Sequence, residues 1–126
     1  MWVFLFIMLV HWFSDFVLQT RHMATRKSED NYYLWLHVSI YSVSTIFFWF
    51  LLLLFTSTDI NFIDMFISFV LILSTHWVTD YFTSRLSSRF YKKEDYYNFF
   101  NVIGIDQWLH YLTLFLIFEY VILTVV

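Results

Sequence analysis

Four apolar runs, at residues 2–19, 34–55, 62–82 and from about 105 to the end, account for most of the chain. Each approaches the ~20 residues that a helix needs to cross a bilayer. In the first run the polar interruptions are His11, Ser14, Asp15 and Gln19. At ~100° per residue His11 and Asp15 lie about 40° apart, so these positions form one stripe and the rest can face lipid. His37 is the only ionisable residue of the second run, where Ser39, Tyr41, Ser42, Ser44 and Thr45 add a modest polar face of the kind small-residue helix packing uses. The third carries His76 and Asp80, with Thr83 and Ser84 continuing the stripe, and the fourth opens with Asp106-Gln107-Trp108-Leu109-His110. This pattern predicts an all-α membrane protein, four transmembrane helices in an antiparallel bundle, as one domain over residues 1–126.

The polar positions repeat. His11-Trp12-Phe13-Ser14-Asp15-Phe16 returns as His76-Trp77-Val78-Thr79-Asp80-Tyr81, and each copy is followed one apolar segment later by Trp-Leu-His, at Trp35-Leu36-His37 and Trp108-Leu109-His110. The chain reads as a duplicated helical hairpin with halves at residues 1–55 and 60–126.

Between the runs, residues 20–32 carry charge without apolar periodicity and are expected to form a loop or a helical extension past the membrane. Residues 85–101 mix basic with aromatic side chains, which suits a segment lying in the headgroup region. All seven Lys and Arg fall in these two stretches, whereas Thr56-Ser57-Thr58-Asp59, Asn61 and Asp64 bring acid without base. The positive-inside rule then sets both charged loops in the cytoplasm and both termini outside, in a bacterial inner membrane. Arg21, Arg26, Lys27, Arg85, Arg89, Lys92 and Lys93 could attract a phosphate-bearing substrate, but orientation alone accounts for them and is the preferred reading. Residues 2–10 have no basic residue ahead and no small-residue cleavage site behind, so they are not read as a removable signal.

Sixty per cent of the residues are hydrophobic and only 13% charged, about half the charge of a soluble domain. No cysteine is present, which excludes disulfides and thiolate zinc sites and leaves only N and O donors for a metal. His11 and His76 lie ~13 Å inside the cytoplasmic ends of their spans, while His37 and His110 lie just inside the starts of theirs. In an antiparallel bundle these four histidines converge in the cytoplasmic third of the membrane with Asp15, Asp80 and Asp106. Intramembrane carboxylates cost roughly 2.5–3.5 kcal/mol each to insert and so are functional candidates. Imidazole and carboxylate suit a divalent metal, zinc first, with manganese or iron as alternatives; seven candidates exceed one tetrahedral shell, so either two metals sit together or some of the aspartates orient ligating histidines. Gln19 and Gln107 are candidate substrate contacts.

The run His11-x-x-x-Asp15-Phe16-x-Leu18-Gln19, with Met23-Ala24-x-x-Lys27, Leu36-His37-x-x-x-Tyr41 and Asp106-Gln107-x-x-His110, resembles a family of small bacterial and phage membrane proteins catalogued as domain of unknown function 3307. The resemblance implies shared polar positions and contributes no substrate.

A metal-dependent hydrolase acting on a lipid or lipid-linked substrate is the leading expectation, with Asp15, Asp80 and Asp106 as the catalytic carboxylates. The competing readings are a proton or divalent-metal transporter, a non-enzymatic membrane interaction protein of phage or bacterial origin, and bis-histidine haem ligation. Membrane lipids are the expected partners; exposed aromatic faces would accept a second copy, and no nucleic acid is expected.

Overall fold

The computed structural model describes residues 1–56, 59 and 61–125, the last four by their backbone alone. Among these the chain is helical throughout: α1 (Trp2–Trp12) continuing into a π-helical turn (Phe13–Val17), then α2 (Arg21–Arg26), α3 (Asn31–Phe55), α4 (Phe62–Lys92) and α5 (Tyr96–Val125). Of the connection expected between the two halves, Ser57 and Thr58 lie outside the described residues, as does Val126 at the end of the fourth run.

Helices form because nothing interrupts them. The chain has no proline and one glycine, Gly104, and short polar side chains satisfy the first amide groups of most helices. Thr20 accepts from the Met23 amide, Asp30 from Tyr32, Asn61 from Ile63, and Asp95 from Asn98. The same lack of breakers changes the expected boundaries. Residues 85–101, read as an interfacial segment, contribute a straight extension of α4 and the first turns of α5, separated by the tight turn Lys93-Glu94-Asp95. Glu94 makes that turn in the left-handed region, at φ 58°.

Among the described residues two helices, α3 and α4, are long and apolar enough to cross a membrane. α4 packs most extensively on α5 and also on α3, while α1 lies against α3 and α5. An apolar layer of Ile7, Trp49, Leu53, Ile72, Leu114, Ile117 and Phe118 fills the interior, with Tyr41 at its edge. Large side chains such as Phe47 and Leu54 on α3, Phe66 and Val78 on α4, and Trp108 and Leu116 on α5 point outward, uncovered.

The matching motifs adopt different backbones. After His11-Trp12 the π turn ends α1 at Val17, and the chain doubles back through α2. After His76-Trp77 the helix runs on without a break to Lys92. That asymmetry decides which lysine reaches the interior.

Candidate metal centre

Each helical segment that packs around the interior contributes a polar side chain at one level. Asp15 comes from the π turn, His37 from α3, His76 and Asp80 from α4, and His110 from α5; all five are buried, with no more than 4% of any residue exposed. π turns insert an extra residue into a helical turn and recur at functional sites; here the turn buries both Ser14 and Asp15.

The centre of the cluster is His37 Nε2. Asp15 Oδ1 and Asp80 Oδ2 lie 3.1 Å from it, and His76 Nε2 and Lys27 Nζ lie at 3.2 Å. His76 Nε2 is a further 3.6 Å from both Asp15 Oδ1 and Asp80 Oδ2. A neutral ring nitrogen offers one hydrogen or one lone pair, so four polar neighbours at contact distance exceed what hydrogen bonding can satisfy. The Nδ1 atoms of His37 and His76 are buried without a hydrogen-bond partner among the described residues, leaving both Nε2 atoms as the inward-facing groups.

His110 adds a sharper constraint. Its Nδ1 lies 2.7 Å from the Asp106 carbonyl oxygen; a carbonyl only accepts, so Nδ1 carries the proton and the neutral ring presents a lone pair at Nε2. That Nε2 has no hydrogen-bond partner among the described residues and stands 3.6 Å from Asp80 Oδ1. A lone pair facing a carboxylate is relieved by a cation between or beside them, a proton or a metal ion.

Two sets of three donors, Asp15 with His37 and His76, and His76 with Asp80 and His110, each have their ligand atoms within 4.8 Å of one another. Zinc held at ~2.0–2.1 Å in a tetrahedron separates its ligands by about 3.3 Å, and the contacts around His37 and His76 bracket that spacing. The donor set therefore fits a divalent ion.

The other expected residues are placed differently. His11 Nε2–H donates to Gln107 Oε1 at 3.0 Å, so its Nδ1 accepts the Tyr41 hydroxyl at 2.8 Å; both ring nitrogens are used, and His11 stands in neither donor set. Asp106 accepts from the Thr83 hydroxyl at Oδ1 and from the Gln107 amide at Oδ2, 3.0 Å away. Gln107 also donates to Asp15 Oδ2 at 3.3 Å, so it ties His11, Asp15 and Asp106 together. Gln19 is half-buried, with its Oε1 unpartnered among the described residues.

Two contributors were not expected. Tyr41 stacks on His76 with ring centroids 3.8 Å apart; its spacing of four from His37 was the available signal. Lys27, read for membrane orientation in preference to attracting a phosphate-bearing substrate, places its ammonium 2.7 Å from Asp80 Oδ2. Burial works against the charged ammonium, but Asp80 and Asp15 outweigh it and hold the pKa of Lys27 above the usual lysine value. The signal was positional. Lys27 follows Asp15 by the same interval as Lys92 follows Asp80, yet Lys92 at the end of the unbroken α4 is exposed and pairs with Glu29 at 2.8 Å.

With neutral imidazoles, the ionised carboxylates of Asp15, Asp80 and Asp106 outnumber the single ammonium of Lys27 by two charges. A cavity of about 570 Å3 adjoins the cluster, bordered by these four residues, Gln19, Gln107 and the hydroxyls of Thr83 and Ser84.

A family model described as "Protein of unknown function (DUF3307)" matches residues 3–126. No curated protein and no solved structure matches the chain.

Proposed function

The chain belongs to the DUF3307 family, whose description assigns no reaction, and from the site we propose a membrane-embedded, metal-dependent hydrolase whose substrate is a lipid or lipid-linked molecule. The observation that carries this reading is the crowding at His37 Nε2, where two carboxylate oxygens, a second imidazole nitrogen and an ammonium stand within 3.2 Å. A divalent ion satisfies that arrangement and cancels the two excess negative charges.

Asp15, His37, His76 and Asp80 would hold the ion, with His110 as a fifth donor. One Nε2 lone pair cannot bridge two ions, so the presence of His76 in both donor sets favours a single metal, zinc before manganese or iron. When bound, such an ion polarises a carbonyl or phosphoryl oxygen and acidifies water towards pKa ~7. Asp106, the least buried of the three carboxylates and part of the cavity wall, would take a proton from water as its hydroxyl adds to the substrate. The same proton then passes to the leaving oxygen.

The lipid substrate follows from the membrane reading. α3 and α4 have the length and apolarity to cross; adding the apolar α1 with its π turn, and α5, gives four crossings whose uncovered aromatic faces meet lipid. The charged connections would lie in the cytoplasm and both termini outside, in an inner membrane. The cavity then opens at headgroup depth.

The test is purification in detergent without added metal, followed by elemental analysis of the wild type beside Asp15→Ala/Asp80→Ala. One equivalent of metal, lost in the double variant, supports the proposal and justifies screening lipid esters. A metal-free wild type that also binds none on titration refutes it.

A proton pathway is the second reading, favoured by Thr45, whose hydroxyl is a hydrogen-bond partner of Tyr41, and by Trp49 Nε1 and Ser68 Oγ in the same helices, buried without a partner among the described residues. Proton flux in proteoliposomes that requires Thr45 and Ser68 would support it.

A further inference from the structure

Lys27 occupies a place where a metal-bound site has no use for an ammonium. Its Nζ touches Asp80 Oδ2 at 2.7 Å and His37 Nε2 at 3.2 Å, two atoms that would ligate the ion. Any ion bound to both at ~2.1 Å lies within about 4 Å of that nitrogen. A divalent ion and an ammonium that close, competing for the same oxygen, exclude one another.

The residue has somewhere to go. Lys27 caps the short α2 rather than standing inside a long helix, its side chain is 16% exposed, and it borders the cavity of about 570 Å3. Gln19 and Ser84 are among the residues that line that cavity, and their Oε1 and Oγ atoms are buried and bonded to nothing among the described residues. Charge sets the order of events. With neutral imidazoles and ionised carboxylates the metal-free cluster carries two excess negative charges and repels an anion; with one divalent ion bound the excess is gone, and the freed ammonium faces the cavity.

Resting on the metal reading above, we propose that Lys27 is a displaceable counter-ion. It holds the cation position while the metal is absent, and once displaced it anchors the phosphate of an anionic substrate in the cavity. The substrate class is thereby narrowed from lipids in general to phosphate-bearing ones, with the hydroxyl of Ser84 as a further donor to the phosphate oxygens.

Amine acetylation reads this directly, because the chain has three lysines, Lys27, Lys92 and Lys93, and Lys93 is exposed and serves as an internal reference. Detergent-purified protein stripped with chelator is treated with acetic anhydride, with and without zinc, and Lys27 modification is measured by mass spectrometry. Zinc should raise acetylation of Lys27 relative to Lys93 at least tenfold, and Asp15→Asn should abolish the rise. Zinc binding confirmed by elemental analysis, with Lys27 labelling unchanged or reduced, overturns this inference and leaves the metal reading standing. Failure to bind zinc, manganese or iron overturns both. In the zinc-loaded protein, micelles doped with phosphatidylglycerol should protect Lys27 at least fivefold while diacylglycerol does not. Protection by inorganic phosphate alone supports the anchor and assigns it to a free anion; protection by neither phosphate source overturns the anchoring role.

Discussion

The Lys27–Asp80 pair and the Lys92–Glu29 pair have nearly the same length, 2.7 and 2.8 Å, but opposite surroundings. In the first the side chains are 16% and 2% exposed; in the second they are 64% and 60% exposed. At an effective dielectric of about 20, unit charges this close attract by about 6 kcal/mol, against about 1.5 in bulk water. Desolvation cancels part of the larger figure, and removing one partner of a buried pair costs about 3–5 kcal/mol. A double-mutant cycle of Lys27→Met and Asp80→Asn, in metal-free protein, should therefore give a coupling of about 2–4 kcal/mol. The cycle of Lys92→Met and Glu29→Gln should give none that can be measured. Reversible unfolding by dodecyl sulfate in mixed micelles, followed by tryptophan fluorescence, provides the free energies. Coupling below about 0.5 kcal/mol for the inner pair would refute the argument that burial, and not distance, sets its strength.

Other expectations follow from the same geometry. Tyr41→Phe keeps the ring on His76 but strips His11 Nδ1 of its donor, so it should cost about 1–3 kcal/mol in the same unfolding assay; a neutral result would mean that the hydroxyl is dispensable. Trp49→Ala, at a fully buried position whose ring meets Phe118 edge-on, should cost about 3–5 kcal/mol, whereas Val43→Ala on the exposed face of α3 should cost almost nothing. Glycine is used where it is not needed and omitted where it would help. Gly104→Ala meets open space within α5 and should stabilise by about 0.5–1 kcal/mol, while Glu94→Gly relieves a left-handed residue and should gain about 1 kcal/mol. Because the folded pKa of Lys27 lies above its ordinary 10.5, its contribution is full below that pH and is lost as pH rises through the higher folded value. Metal-free wild type should lose stability across that alkaline range, and Lys27→Met should lack that component.

Much of the architecture was legible because it depends on local composition. A chain with one glycine, no proline and long apolar runs has no means of stopping a helix, and the polar residues that mark run boundaries are also the residues that cap helices. Thr20, Asp30, Asn61 and Asp95 accept the first amides, and α3 and α4 cover the second and third runs. The extent of α4 and the start of α5 were not legible. Basic and aromatic residues at 85–101 carry no strong signal against helix, and the tight turn at Glu94 depends on a backbone conformation that its side chain does not advertise.

The candidate site divides in the same way. His37, His76, His110, Asp15 and Asp80 could be named from recurrence and depth, since a carboxylate or imidazole in an apolar run has few places to go but inward. The sequence by itself determined this inventory of inward groups, the absence of sulfur donors and the apolar faces around them. Only the tertiary structure distinguished their roles. Two histidines in matching motifs, His11 and His76, differ because Tyr41 and Gln107 satisfy both nitrogens of the first and leave the second facing three other polar groups. Two lysines at matching intervals differ because the π turn ends one helix and returns Lys27 to the interior, while an unbroken helix carries Lys92 away. Motif spacing encodes which residues share a helical face; which of them meet, and which charge is left to neutralise, depends on where each helix ends and what packs across from it.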